Sequence, residues 1–123
     1  MVRYRLVLLA LAAACALLVL PLAADAQQSA RRATTVNVTA GKPSEFHFIL
    51  SKKSGKAGAY SFKVTNNGAL PHDFKIAGKK TKLLSPGQSQ SLTVTLKKGK
   101  SYPYLCTVTG HAAAGMKGTF KVT

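Results

Sequence analysis

"SLTVTLKKGKSYPYLC", Ser91 to Cys106, is the stretch in which the fold can be read. Leu92, Val94 and Leu96 recur at every second position, which puts their side chains on one face of a strand. "KKGK" interrupts the pattern with turn chemistry, and "SYPYLC" begins a second run. Pro103 lies inside that run and lacks an amide donor, which predicts an edge or a bulge there. The same alternation extends outward. "TTVNVTA" aligns Val36 with Val38, and "EFHFIL" aligns Phe46, Phe48 and Leu50. "YSFKVT" aligns Tyr60, Phe62 and Val64, "DFKIAG" aligns Phe74 with Ile76, and "GTFKVT" is the last run. "SGKAG", "NNGALP" and "SPGQ" supply the breaks. Seven or so short strands with almost no helical period predict an all-β, antiparallel sandwich or barrel.

The 123 residues suffice for one domain. Residues 1–26 read as a signal peptide. Arg3 and Arg5 open it, Leu6 to Ala24 is apolar, and "ADA" offers small residues at a cleavage point before Gln27. An uncleaved anchor is the rival reading, because a stretch of this length can just span a bilayer. Residues 27–33, "QQSARRA", form a polar lead-in, and residues 34–123 form the domain. This places the domain in the periplasm or otherwise outside the cytoplasm. Beyond residue 26 the only cysteine is Cys106, so no internal disulfide can form. A lone thiol in an oxidising compartment is buried and inert, paired between chains, or bound to metal.

"YLCTVTGHAAAGM", Tyr104 to Met116, decides among these. Cys106, His111 and Met116 follow one another with four residues between each pair. Gly110 and Gly115 let the loop fold back, and Ala112 to Ala114 keep it small. A soft thiolate, an imidazole and a thioether converging on one point suit copper. His72, in "NNGALPHDF" between two strands, is placed to add a second imidazole. The expected metal ligands are therefore His72, Cys106, His111 and Met116, with the thioether as the weak axial donor. His47 alternates away from Phe46 and Phe48 and reads as a surface histidine.

From about Thr34 to Val122, the segments "NNGALPH", "HDF", "LSPGQSQSLTVTL" and "YPYLCTVTGHAAAGMKGTFKV" resemble the cupredoxins, the small type 1 blue copper proteins. The four-and-four ligand spacing is similar to that of rusticyanin- and auracyanin-type members. The resemblance implies a Greek-key β-sandwich or barrel holding one type 1 copper ion. Many relatives have Asn after the first ligand histidine, where this chain has Asp73. Asp73 is expected to accept a hydrogen bond from Thr107 or from a ligand-loop amide, with Pro71 as the third residue supporting the site.

The expected function is extracytoplasmic one-electron transfer by Cu(II)/Cu(I) cycling. The alternative is copper buffering, delivery or resistance in the cell envelope; a basic anion-binding module is a weaker third. Four side-chain ligands leave no position for substrate, and no Ser/His/Asp set or second histidine cluster is evident, so no enzyme activity is expected. After residue 26, sixteen Lys and Arg stand against only Glu45 and Asp73. Such charge attracts anionic membrane or acidic protein surfaces. Nucleic acid is disfavoured, because basic residues interleaved with aromatics are missing. Redox proteins of the envelope are the expected partners of a monomer. Strand direction predicts that Lys52, Lys53 and Lys56, Lys79, Lys80 and Lys82, and Lys97, Lys98 and Lys100 all lie at the end opposite copper. Ala112, Ala113, Ala114, Leu70 and Pro71 would then surround His111.

Overall fold

The computed structural model describes residues 32–123. The expected signal peptide and residues 27–31 of the lead-in lie outside the described residues. The strands are β1 Thr34–Ala40, β2 Phe48–Leu50, β3 Ser54–Gly55, β4 Gly58–Asn66, β5 Lys75–Ile76, β6 Lys79–Lys80, β7 Ser89–Leu96, β8 Ser101–Leu105 and β9 Lys117–Val122. They form two sheets, ordered β2-β1-β4-β7 and β3-β9-β8-β5-β6. No helix occurs among the described residues. The long strands bury alternate residues: Val36, Val38 and Ala40 on β1, Tyr60, Phe62, Val64 and Asn66 on β4, and Leu92, Val94 and Leu96 on β7. Phe62 is central, edge-on to Phe120 at 5.6 Å and tilted against Phe74 at 5.6 Å. Burying one such side chain contributes about 1.5–3 kcal/mol.

The all-β sandwich is as expected, but its pairing is mixed rather than wholly antiparallel. β1 runs parallel to β4 in a continuous register from Thr34↔Tyr60 to Ala40↔Asn66, and β3 runs parallel to β9. The cause is the route between β1 and β4. The chain turns back along β1 as β2, crosses to the other sheet as β3, and re-enters in the original direction. "EFHFIL" is strand only from Phe48 onward. "DFKIAG" is strand for two residues, because Ala77 and Gly78 (φ 51° and 75°) reverse the chain into β6. Two successive positive φ values are the signature of a tight hairpin turn. Pro103 pairs with Thr119 of β9 beyond the reach of β5, which stops at Tyr104. On that side β8 is an edge, as a proline requires.

These directions bring one set of strand ends together. β1 and β4 finish at Ala40 and Asn66, β8 finishes at Leu105, and β9 starts at Lys117. Asn66 is wholly buried there and organises the chain that follows. Its amide nitrogen donates to the carbonyls of Leu70 and Leu84, both at 2.8 Å, and its oxygen accepts from Gly68 N at 2.9 Å.

Candidate metal centre

Cys106 follows directly on β8, and the loop to β9 closes on itself. Cys106 N donates to Met116 O at 3.1 Å, Met116 N to His111 O at 3.0 Å, and His111 N to Val108 O at 3.0 Å. Gly110 and Gly115 have φ of 84° and 116°, which side-chain-bearing residues rarely adopt. His72 reaches the same place from the β4–β5 connection. Its backbone is locked by exchanging hydrogen bonds with Leu84 at 3.0 and 2.8 Å.

His72, Cys106 and His111 are all buried, and their donor atoms lie within 4.8 Å of one another. The edges of the triangle are 3.1 Å between the two Nδ1 atoms, and 3.6 and 4.0 Å from Cys106 Sγ to His111 and His72 Nδ1. A trigonal metal with bonds of about 2.0–2.3 Å would separate its ligand atoms by roughly 3.5–3.8 Å. The observed triangle matches that size. Met116 is wholly buried against Cys106 and Ala40, with Phe46, Phe48 and Val108 around them. The sequence-expected residues are thus gathered at one end of the sandwich. His47 lies apart from them, exposed and bonded to Ser44 Oγ at 2.5 Å.

The histidine proton has a defined location. Glu45 Oε1 lies 2.7 Å from His72 Nε2, and an ionised carboxylate can only accept. Nε2 therefore carries the hydrogen, and Nδ1 turns a lone pair toward the sulfur and the second imidazole. Donor atoms crowded in this way favour a cation between them. The Ala69 and Leu70 amides hold the Glu45 carboxyl down to a pKa of about 2, with His72 adding to their effect against burial. Burial lowers the pKa of His111 and so favours the neutral, ligating form. Burial raises the Cys106 pKa, so metal uptake must displace a thiol proton.

Asp73 is nearly buried and ties the two ligand-bearing loops. Oδ1 accepts from Thr107 N at 2.6 Å, and Oδ2 accepts from Thr107 Oγ1. Pro71 lies exposed on the rim beside His72. Sequence reading missed Glu45 and Asn66. Its one available signal for Glu45 was that an acid is rare in so basic a domain.

The placement of the lysines needs one correction. Register puts Lys53 and Lys121 beside each other, Lys97 to Lys100 in the β7–β8 turn, and Lys52 and Lys56 near β3, all at the far end. The third cluster returns toward the site, because the Ala77–Gly78 turn reverses the chain. Lys80 Nζ lies 3.6 Å from Asp73 Oδ2 and 3.4 Å from Thr107 Oγ1.

Together these features define a class: a small β-sandwich whose strand ends hold one His–Cys–His centre, with a buried methionine closing the same loop. The sequence pattern of the plastocyanin/azurin family of copper-binding proteins matches residues 22–123, and the chain belongs to that family. The family and the donor set make the metal one type 1 copper. Auracyanin-B of Chloroflexus aurantiacus is 46% identical over 43 residues, which are 35% of this chain and 18% of that relative. A solved auracyanin B superposes with a TM-score of 0.63 at 26% identity, covering 74% of this chain and 89% of the other. Rusticyanin from Thiobacillus ferrooxidans has the same fold, with a TM-score of 0.57 at 21% identity, covering 72% and 75%.

Proposed function

We propose that the chain is an extracytoplasmic electron carrier that takes up and releases one electron at a time, with His72, Cys106, His111 and Met116 as the side chains that would hold its copper ion. The observation that carries this reading is the convergence of three buried donor atoms whose two histidines differ in access. His72 is fully enclosed, whereas His111 is 9% exposed. Bound copper supplies one-electron chemistry between Cu(II) and Cu(I). The protein holds the donors in place so that little must move when the charge changes. Asp73 and Asn66 fix the loops, and Met116 and Phe46 pack the centre against water.

His111 is the exit in this reading. Ala113, Ala114, Leu70 and Pro71 are exposed at the same end, and Leu83 adjoins the His72–Leu84 bridge. This uncharged rim suits close approach of a redox protein. The lysine pole lies about 26 Å away, the length of β4 at the rise of an extended strand. We propose that it faces anionic lipid and turns the His111 rim outward. A chain with every ligand position filled by its own side chains has no place for substrate, which supports a carrier rather than an enzyme.

The test is to load purified protein with Cu(II) and record its visible spectrum. Wild type should show the intense thiolate-to-copper band and pass its electron to an envelope redox protein. Cys106→Ser should lose the band and most of the copper affinity, because a hydroxyl is a hard, poorly ionised donor. A colourless wild-type protein that binds only Cu(I) would instead mean copper handling.

A further inference from the structure

Glu45 lies 27 residues before His72, on the connection between β1 and β2, yet its carboxylate is built into the site. Oε1 accepts from His72 Nε2 at 2.7 Å and from Leu70 N at 2.9 Å, and Oε2 accepts from Ala69 N at 2.9 Å. The approach depends on two glycines. A Cβ on Gly68 would sit 2.5 Å from Glu45 Oε1 and 3.0 Å from His72 Nε2. A Cβ on Gly41 would collide with the Gly68 backbone, and Gly41 also has a φ of 77°.

The two acids at this end differ in one respect. Asp73 has Lys80 at 3.6 Å, whereas among the described residues no Lys or Arg lies within 4.0 Å of Glu45. In so basic a domain, the Glu45 charge is left facing an imidazole that is itself fully buried. Two backbone amides need only a neutral oxygen to hold them. A carboxylate against the outer nitrogen of a metal-binding imidazole does more, because it makes the inner nitrogen a stronger donor.

We infer that Glu45 is a positioning residue that sets the oxidation-state balance of the centre: its carboxylate, acting through His72, favours Cu(II) over Cu(I) and holds the reduction potential down. The inference rests on the copper-carrier reading above. The couple exchanges one electron with the donor or acceptor protein of that reading. A greater donor strength and a nearby negative charge both favour the more highly charged ion.

Glu45→Gln tests this, since it keeps the side-chain length and an acceptor oxygen but removes the charge. The wild-type visible band is read first, and its absence would overturn the copper-carrier reading rather than this one. With the band present, redox titration of Glu45→Gln should raise the Cu(I)/Cu(II) ratio at a fixed solution potential at least tenfold, about 59 mV for one electron. Its Cu(II) affinity should fall by about 10- to 100-fold, and its Cu(I) affinity much less. In the metal-free protein, imidazole nitrogen NMR should place the His72 proton on Nε2 in the wild type. Its hydrogen-bond shift should diminish in the variant. A ratio unchanged within twofold, with the band intact, overturns the inference and leaves Glu45 as a loop latch. Should Glu45→Gln fail to load copper, Gly68→Ala decides: it wedges the pair apart with the charge retained. A raised ratio then supports the inference, and an unchanged one overturns it.

Discussion

Replacing Asp73 with Ala removes the one carboxylate that joins the His72 loop to the residue after Cys106. Two hydrogen bonds to Thr107 are lost, together with the Lys80 contact. A hydrogen bond to a charged group contributes about 1.5–3 kcal/mol net. Thr107 is exposed, so water can reach its freed N–H and hydroxyl, which argues for the low end of that range. Lys80 is half exposed, and a pair of that kind adds at most about 1 kcal/mol. The expected loss is therefore about 3 kcal/mol, a large share of the roughly 5–15 kcal/mol that holds a domain folded. In a domain of this size, it would lower Tm by roughly 12–24 °C. Asp73→Asn retains an acceptor for Thr107 N and should lose only about 1 kcal/mol. Urea and thermal melts of the metal-free proteins, followed by circular dichroism, read the difference. Cu(II) affinity of the Ala variant should also fall by about 10- to 100-fold. An Ala variant within 0.5 kcal/mol of wild type, by the ordinary tolerance of surface substitutions, would refute the clamp.

Met116→Leu keeps the buried volume and should cost less than about 1.5 kcal/mol of stability. It should retain the colour and raise the potential, as redox titration would show; a colourless protein would remove Met116 from the axial position. Ala113→Glu places a charge on the exposed rim near His111 and should slow electron transfer in stopped flow. The double reversal Lys97→Glu and Lys98→Glu should slow it less while weakening binding to anionic vesicles. The opposite ranking would make the lysine pole the docking face for the redox partner.

The legible and illegible parts of the sequence divide along physical lines. β1, β4 and β7 are long enough for alternation to show, and the apolar residues the pattern marked on them are all buried, with Ala40 and Asn66 added at the strand ends. β3, β5 and β6 have two residues each, too few for any period. Alternation also carries no information on direction, so the parallel β1–β4 pair left no local trace. The reversal at Ala77 went unread because alanine rarely takes a positive φ, and the misplaced Lys80 followed from it. The loop donors were legible because three unusual residue types stand within eleven positions. Glu45 was not, because its partners lie 24 to 27 residues further along and nothing in "KPSEFHF" points to them.

The loop from Cys106 to Met116 is also a hairpin connection, since β8 and β9 are neighbouring antiparallel strands joined at Leu105↔Lys117. A hairpin turn can lengthen without moving the strands it joins, and doubling a loop costs only about 0.6 kcal/mol in closure entropy. The sheet therefore places few demands on the number of residues between thiolate and thioether. Three of the four proposed donors travel together in that segment, held by its own backbone hydrogen bonds. The fourth stays behind on a separate, braced loop. Such a division makes the segment exchangeable: a loop of different length could be spliced between Leu105 and Lys117, altering the metal's surroundings while His72, Glu45 and the sandwich remain as they are.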